Sequence, residues 1–294
     1  MADQIYNLEL FKSRSLLGRL FAAFRFVNNN LRVFLKLGTY LLLPMVIILA
    51  LYNVLFITGL QDKTSAGYWI VTIISFLILI AGTCCFNSLI YTLFYKYARS
   101  GSLPEYRLKD LKQALIVNAK KIFLYGLVIF VIGTLCGILI LLLLSFSPYT
   151  FLILTIPLAL FVLLPFSYTP FVYILEETSL INAIIKSFKL GIPTWGAIFA
   201  IRFISSFIVF IIQLIVCLPW LMGLIVNSYA TIAVMNGETV LLPGFFPFLM
   251  FFLVAIALLI SYLTNVLIIS AMAFQYGSAE TKRKELLMED NQSL

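Results

Sequence analysis

The side chains best placed for chemistry in this sequence are charged residues in a short segment between two strongly apolar stretches. The segment reads EETSLINAIIKSFKL and contains Glu176, Glu177, Lys186 and Lys189. Carboxylates and ammonium groups beside an apolar stretch bind charged ligands, lipid head groups or one another. We therefore interpret these four residues as candidate ligand or partner contacts. Their spacing alone indicates no reaction.

A further candidate is Arg202, a lone cation inside an apolar stretch. It follows Trp195 by ~10 Å along a helix axis at the usual rise per residue. Three interpretations remain open. The long side chain reaches back to a membrane surface, it pairs with Glu176 or Glu177, or it contacts a substrate or a lipid head group.

Two uncharged polar residues complete the candidate set. Ser167 lies between Pro165 and Pro170 in PFSYTPF, and each proline removes a backbone donor and can kink a helix. Gln213 lies inside a later apolar stretch. Such groups either form hydrogen bonds between helices or line a polar path, and both alternatives stay open.

The parts of common enzyme sites are missing from the sequence. It contains no histidine, which excludes HExxH zinc sites, Ser-His pairs and His-rich iron sites. It also has no GxxxxGK[ST] phosphate loop and no pair of aspartates inside an apolar stretch. The four cysteines all fall in apolar stretches without a CxxC pair: Cys84, Cys85, Cys136 and Cys217. We expect a non-enzyme with no catalytic residues, no cofactor and no bound metal.

The composition indicates that lipid is the solvent for these elements. Hydrophobic residues make up 63% of the chain and charged residues 11%, with a mean hydropathy of +1.08. A soluble domain is about 25% charged. A helix crosses a bilayer core with ~20 apolar residues. Six stretches meet this test and predict an all-α integral membrane bundle: 37–58, 69–95, 122–146, 150–175, 195–224 and 245–275.

The basic residues predict how these spans are oriented. With both termini in the cytoplasm, every one of the 20 Lys and Arg residues except Lys63 falls on the cytoplasmic side. This asymmetry follows the positive-inside rule. It explains the net charge of +8 without a nucleic acid partner. We expect a multi-pass protein of the bacterial cytoplasmic (inner) membrane, with a basic face that meets membrane lipids.

A half-polar segment precedes each pair of spans. These three lead-in segments are 16–36, 106–123 and 176–195. We interpret each as an amphipathic helix in the cytoplasmic interface. Together they indicate either a threefold parallel hairpin repeat or three unrelated segments that converged on a similar amphipathic composition. The predicted organisation is a basic lead-in over 1–36, a six-helix transmembrane domain over 37–276 and a charged cytoplasmic tail over 277–294.

The lead-in segments predict which helix faces are apolar. In the third, Thr178 or Ser179 can cap the helix start, and Gly191 marks its end. Its apolar face would hold Leu180, Ile181, Ile184 and Phe188, and its polar face Asn182, Lys186 and Lys189. In the first, the apolar stripe would be Leu17, Leu20, Phe21 and Phe24, with Arg14 and Arg19 off it.

The third lead-in also resembles a family pattern. An acidic residue ends a span, Ala-x-x-Lys-Ser-Phe follows, and a tryptophan enters the next span. The matching residues are Glu176 or Glu177, Ala183, Lys186, Ser187, Phe188 and Trp195. This pattern is similar to that of a broad group of bacterial six-helix membrane proteins, related to the membrane domain fused to some glycerophosphodiester phosphodiesterases. The resemblance covers only this segment and implies an integral, non-catalytic membrane module.

Two functions follow as expectations. The first is a non-enzymatic bacterial inner-membrane protein that contacts membrane lipids or an envelope protein partner. The alternative is a small-molecule or lipid transporter with a cavity near the fourth and fifth spans, lined by Gln213, Asn265 or the fourth-span kinks. The sequence specifies neither a substrate nor an oligomeric state.

Overall fold

The computed structural model describes residues 10–57, 66–104, 106–146 and 156–292, and within these ranges it contains helices and no strand. The α-helices are α1 (Leu16–Asn29), α2 (Leu31–Ile57), α3 (Ala66–Ser100), α4 (Leu108–Phe146), α5 (Ile156–Leu163), α6 (Thr169–Leu175), α7 (Leu180–Gly191), α8 (Trp195–Met235) and α9 (Phe246–Gln292). A short 3₁₀ helix (Pro165–Tyr168) joins α5 to α6.

Five of the described helices are long and apolar enough to cross a membrane. They are α2, α3, α4, α8 and α9, and the most apolar window of each has a mean hydropathy between 2.2 and 2.6. The described part of the protein is therefore all-α, with helices whose length and composition suit a membrane. The remaining predicted span, 150–175, begins outside the described residues. Its described part is divided among α5, the 3₁₀ helix and α6, because Pro165 and Pro170 interrupt the backbone hydrogen bonds.

The chain divides into two compact units. Unit 1 comprises residues 1–31, 87–206 and 267–294, and unit 2 comprises residues 32–86 and 207–266. Helices α3, α8 and α9 each contribute residues to both units. The candidate residues other than Gln213 all belong to unit 1.

Aromatic side chains fill the interior of unit 1. The Phe26 ring of α1 stacks on Phe94 at a centroid distance of 4.6 Å and meets Phe274 edge to face at 5.9 Å. Tyr276 stacks on Phe171 at 5.9 Å. Such ring pairs add about 0.5–1.5 kcal/mol beyond their buried area. They fix α1 beside the C-terminal part of α9.

Helix α9 passes very close to the N-terminal segment at Gly277. A Cβ atom on Gly277 would lie 2.2 Å from the carbonyl oxygen of Leu10, so only glycine permits this approach. Next to it, the backbone N–H of Arg14 donates to Ser278 Oγ at 3.2 Å. The charged tail predicted over 277–294 is helical in its described part, because α9 continues to Gln292, and residues 278–280 at its start are buried.

Unit 2 is packed mainly by apolar side chains. Val54, Phe246 and Met250 form a buried cluster on which Trp220 packs. One polar contact joins α3 to α9, where the hydroxyls of Thr83 and Tyr262 lie 2.9 Å apart. This composition agrees with helices whose outer surfaces meet lipid, where small numbers of polar contacts tie helices together.

Two of the three predicted lead-in helices are separate elements. Helix α1 ends at Asn29 and α7 ends at Gly191, each before a long apolar helix. The second lead-in, 106–123, is instead the continuous beginning of α4, which runs from Leu108 without a break. The expectation of a third separate helix was wrong because no glycine or proline lies between Leu108 and Gly126 to end one.

Candidate functional site: a buried ionic cluster and a basic cavity

Helix α7 is fixed in place by its small residues. Ser179 caps the helix, and its Oγ accepts from the backbone N–H of Asn182 at 3.4 Å. The buried face contains Ala183, Ser187, Leu190 and Gly191. A Cβ on Gly191 would lie 2.7 Å from Pro165 Cα, and Ser187 Oγ donates to the Pro165 carbonyl oxygen. The helix therefore packs directly against the proline-interrupted segment.

The face of α7 that is buried in the protein differs from the apolar face that was predicted to lie in the membrane interface. Ile181 is 71% exposed and Ile185 48% exposed, whereas the predicted polar residue Lys186 is turned inward. Close packing against Pro165 selects the small side chains for the buried face and leaves the isoleucines outside. Phe188 does pack inward, edge to face on Phe166 at 4.8 Å.

Lys186 is the centre of an ionic cluster. Its Nζ lies 2.6 Å from Glu176 Oε1 and 3.0 Å from Glu280 Oε1. Arg283 Nη2 lies 2.9 Å from the same oxygen of Glu280, whose side chain is only 4% exposed. The hydroxyl of Tyr276 donates to Glu176. Two cations and two carboxylates thus neutralise one another. Helix α9 contributes Glu280 and Arg283, which the local sequence of α7 does not reveal.

A second buried polar network begins at Arg19 of α1. Arg19 Nη1 donates to Gln275 Oε1 at 2.5 Å, and Gln275 Nε2 donates to the Tyr168 hydroxyl at 2.9 Å. Arg19 Nε also donates to the Arg14 carbonyl oxygen at 2.9 Å. Burial lowers the pKa of the Arg19 guanidinium, and the nearby Tyr168 oxygen offsets part of that shift. Arg19 was expected to lie off the apolar stripe, and it is buried instead.

Glu177 has a different role from Glu176. Its backbone adopts a φ of 53°, an uncommon left-handed conformation that turns the chain between α6 and α7. Its carboxylate accepts from Arg99 Nη2 at 3.0 Å and from the Tyr95 hydroxyl. This exposed ion pair contributes little to stability compared with the buried cluster around Lys186.

The remaining candidates have separate positions. Arg202 Nη1 donates to Ser167 Oγ at 3.0 Å, and Glu176 and Glu177 both bind other cations. The alternative that Arg202 pairs with either glutamate is therefore wrong. Lys189 is exposed on α7. In unit 2, Gln213 Nε2 donates to Thr264 Oγ1 at 3.2 Å. Of the two alternatives for Gln213, this contact is the hydrogen bond between helices.

A basic cavity of about 560 Å³ lies along α1 in unit 1. Its cations are Lys12, Arg14 and Arg25, and no acidic side chain is among its described lining residues. Helix α1 contributes Gly18, Phe21, Ala22, Arg25 and Asn29, and the opposite wall comes from Tyr97, residues 101–103 and Phe274. Sequence reasoning missed this cavity as a site. The signal was present, because positions 18, 22, 25 and 29 share one helix face.

The structure offers no arrangement for a metal ion among the residues that it describes, since no three His, Cys, Asp or Glu side chains converge there. The four cysteines are free thiols.

No family model matches the chain, and neither does any curated protein or solved structure. The function therefore has to be inferred from the geometry of this protein itself.

Proposed function

We propose that this protein is a non-enzymatic, multi-pass protein of the bacterial inner membrane that binds anionic lipid head groups through unit 1. The observation that supports this proposal is the basic cavity along α1. Lys12, Arg14 and Arg25 line it, and none of the described lining residues is acidic. Cations placed at the edge of transmembrane helices attract phosphate-bearing lipids, each contributing about 1 kcal/mol.

The exposed surface of α1 fits the same role. Leu17 and Phe21 are 61% and 68% exposed, so the apolar stripe predicted for this helix is available to lipid chains. Leu20 belongs to the buried face with Arg19. An amphipathic helix with exposed aromatic and aliphatic groups beside cations suits the boundary between head groups and acyl chains.

The placement in the membrane is part of the proposal. Six spans, both termini in the cytoplasm and the positive-inside distribution put the basic cavity on the side that carries anionic lipids. The resemblance of residues 176–195 to bacterial six-helix membrane proteins supports a non-catalytic module. An envelope protein partner and a lipid partner both remain compatible with that resemblance, and the charge of the cavity favours the lipid.

The contacts of Ser167, Arg202 and Gln213 favour lipid binding over transport near the fourth and fifth spans. Ser167 and Arg202 bind each other, and Gln213 bonds to Thr264. Pro165 and Pro170 lie in a buried segment that packs against α7. These groups therefore hold helices together. A transporter would instead need them to line a polar path.

Lipid retention by the full-length protein tests the proposal. Lys12→Gln with Arg25→Gln removes the two exposed cations of the cavity, and Lys109→Gln with Lys112→Gln removes two exposed cations of α4 outside it. Native mass spectrometry in detergent, with added phosphatidylglycerol or phosphatidylcholine, measures the bound lipid. We expect the cavity variant to bind phosphatidylglycerol about 30-fold more weakly, at ~1 kcal/mol per charge. The α4 variant should bind like the unchanged protein.

Equal losses of phosphatidylglycerol binding in the two variants would show that the net charge of the protein attracts the lipid. That outcome would overturn the cavity as the binding site. Equal retention of phosphatidylglycerol and phosphatidylcholine by the unchanged protein would overturn the proposal as a whole. A co-purifying protein lost only in the cavity variant would replace the lipid by an envelope partner.

A further inference from the structure

Unit 1 contains a second cavity, which has no lining residue in common with the basic cavity in the part of the chain that the structure describes. Its volume is about 510 Å³, within the ~300–1,000 Å³ typical of small-molecule sites. It lies between the end of α3, the first turns of α4 and the connection from α6 to α7. Because its charged residues carry both signs, we call it the mixed-charge cavity.

The charges of the mixed-charge cavity balance. Lys96 and Lys121 contribute two cations, and Asp110 and Glu177 contribute two carboxylates. A simple anion would be attracted by the lysines and repelled by the carboxylates, so the cavity offers it little. A ligand that carries a positive and a negative group finds a counter-charge for each. The balance of charge therefore favours a zwitterion.

Lys121 and Glu177 interact electrostatically but do not form an ion pair with each other. Lys121 Nζ donates to the Tyr173 carbonyl oxygen at 3.2 Å, which leaves the other N–H groups of its ammonium available. Glu177 Oε1 lies 3.0 Å from Arg99 Nη2 and also accepts from the Tyr95 hydroxyl. These bonds leave Glu177 Oε2 able to accept, and the side chain is 54% exposed. Two opposite charges therefore line one cavity with capacity for further hydrogen bonds.

The aromatic ring of the cavity distinguishes between positive head groups. Quaternary ammonium groups, such as that of choline, bind in cages of aromatic rings. Tyr95 is the one aromatic residue among the described lining residues, and the Arg99 guanidinium already lies over its ring, with Cζ 4.3 Å from the centroid. A primary ammonium instead donates hydrogen bonds, which carboxylates accept. The lining therefore suits a primary ammonium.

An exposed apolar stripe on α4 begins at the cavity. Val117 lines the cavity, and Leu124 and Val131 follow at successive intervals of two helical turns, which places the three on one helix face. All three side chains are exposed in the protein. A soluble zwitterion would make no use of this stripe, whereas the acyl chains of a lipid would pack along it. The stripe therefore favours a lipid as the source of the zwitterion.

We propose that the mixed-charge cavity binds the head group of a zwitterionic lipid with a primary ammonium, as in phosphatidylethanolamine. The ammonium would donate to Glu177, and the phosphate would accept from Lys121. Lys96 and Asp110 supply a further charge of each sign at the same cavity. The proposal does not rest on the function proposed for the basic cavity, because the two cavities have different lining residues and take different head groups.

Native mass spectrometry of the full-length protein in detergent tests this proposal. Phosphatidylethanolamine and phosphatidylcholine with the same acyl chains are the matched probes, because they differ only in the methyl groups on the ammonium. We expect the unchanged protein to bind phosphatidylethanolamine about tenfold more tightly, since hydrogen bonds between charged groups are the strong ones. O-phosphoethanolamine at the same concentration, a head group without acyl chains, should not displace the lipid.

Three substitutions separate the roles of the charges. Glu177→Gln should weaken phosphatidylethanolamine binding about tenfold, to the level of phosphatidylcholine, because it removes the carboxylate that accepts from the ammonium. Arg99→Gln is the matched control. It breaks the same ion pair, but Arg99 does not line the cavity, so phosphatidylethanolamine binding should stay unchanged. Lys121→Gln should weaken both lipids about fivefold, because both carry the phosphate.

Equal binding of the two lipids by the unchanged protein would overturn the proposal, and this comparison depends on no variant that has to fold. Equal losses from Glu177→Gln and Arg99→Gln would show that their ion pair matters only for the structure, which would also overturn it. Displacement of the lipid by O-phosphoethanolamine would overturn the lipid as ligand in favour of a soluble zwitterion.

The cavity variant of the basic cavity separates this proposal from the function proposed above. Lys12→Gln with Arg25→Gln should keep the preference for phosphatidylethanolamine, because neither residue lines the mixed-charge cavity. Loss of the preference in that variant would place the binding in the basic cavity and overturn the second site. A failure of phosphatidylglycerol to bind the unchanged protein would leave the comparison of phosphatidylethanolamine with phosphatidylcholine unaffected.

Discussion

Glu176, Lys186 and Glu280 of unit 1 bind one another through charges, whereas the polar residues of unit 2 form hydrogen bonds between uncharged groups, as Gln213 does with Thr264. The charged residues of unit 1 are the ones that a sequence search singles out as ligand contacts. Lys186 has its partners at the end of α6 and on α9, and together these residues hold α7 in place.

This difference indicates that a charge beside a membrane span is not by itself a sign of a ligand site. A buried charge must be paired, and the protein often supplies the pair. The groups worth testing for ligands include the exposed cations of the basic cavity, Lys12 and Arg25.

The largest expected effect comes from breaking the ionic cluster. Lys186→Met leaves the carboxylates of Glu176 and Glu280 near each other without the ammonium that both contact. Removal of one member of a fully buried ion pair costs about 3 kcal/mol or more. The Lys186 side chain is 23% exposed and that of Glu280 only 4%, so we expect a smaller loss, seen as a clear fall in the unfolding temperature of the detergent-solubilised protein. Lys189→Met on the same helix is the control and should change little, because Lys189 is exposed. Adding Glu176→Gln to Lys186→Met should recover part of the loss.

Equal losses from Lys186→Met and Lys189→Met would contradict the cluster as the source of stability. They would indicate instead that the net positive charge of α7 matters, and the distinction between buried and exposed lysines would disappear.

An intermediate effect should follow from Gly277→Ala. The added Cβ would lie 2.2 Å from the Leu10 carbonyl oxygen, so the N-terminal segment must shift. Overpacking of this kind costs about 1–3 kcal/mol. Gly126→Ala in α4 meets no atom within 4 Å and should be neutral or slightly stabilising, since alanine is the better helix former. Thermal unfolding monitored by circular dichroism compares the two variants, and a neutral Gly277→Ala would place Leu10 away from α9.

The smallest expected effect belongs to unit 2. Gln213→Leu removes the hydrogen bond to Thr264 Oγ1, and bonds between transmembrane helices contribute about 0.6 kcal/mol on average. We expect a barely measurable change in unfolding temperature. A loss as large as that from Lys186→Met would show that unit 2 also depends on its polar contacts, and the contrast between the units would fail.

Hydropathy and capping signals predicted much of the backbone. Five predicted spans correspond to α2, α3, α4, α8 and α9, and α7 has the predicted Ser179 cap and the predicted end at Gly191. These features depend on residues close together in the sequence. Apolar length decides whether a helix suits a membrane, and cap residues decide where a short helix begins and ends.

The candidate site could not be predicted to the same extent. Periodicity assigned Ile181 to the apolar face and Lys186 to the polar face of an interfacial helix, but close contact between Gly191 and Pro165 decides which side of α7 is buried in the protein. Glu280, one of the partners of Lys186, and Gln275, the partner of Arg19, both lie on α9, far along the chain, and nothing in the local pattern indicates them. The cavities depend on which helices meet, which hydropathy does not specify.

The hydrogen bond between Arg19 and Gln275 has a consequence for how the protein is made. The two residues are 256 positions apart in the sequence. A ribosome adding about 5–20 residues per second needs roughly 13–50 s to proceed from one to the other. During that interval α1 has been synthesised but the C-terminal part of α9 that packs on it has not. Unit 1 is therefore completed only after Gln275 has been synthesised, and a nascent chain stalled before that residue would expose α1 and its basic residues to the membrane surface and to chaperones.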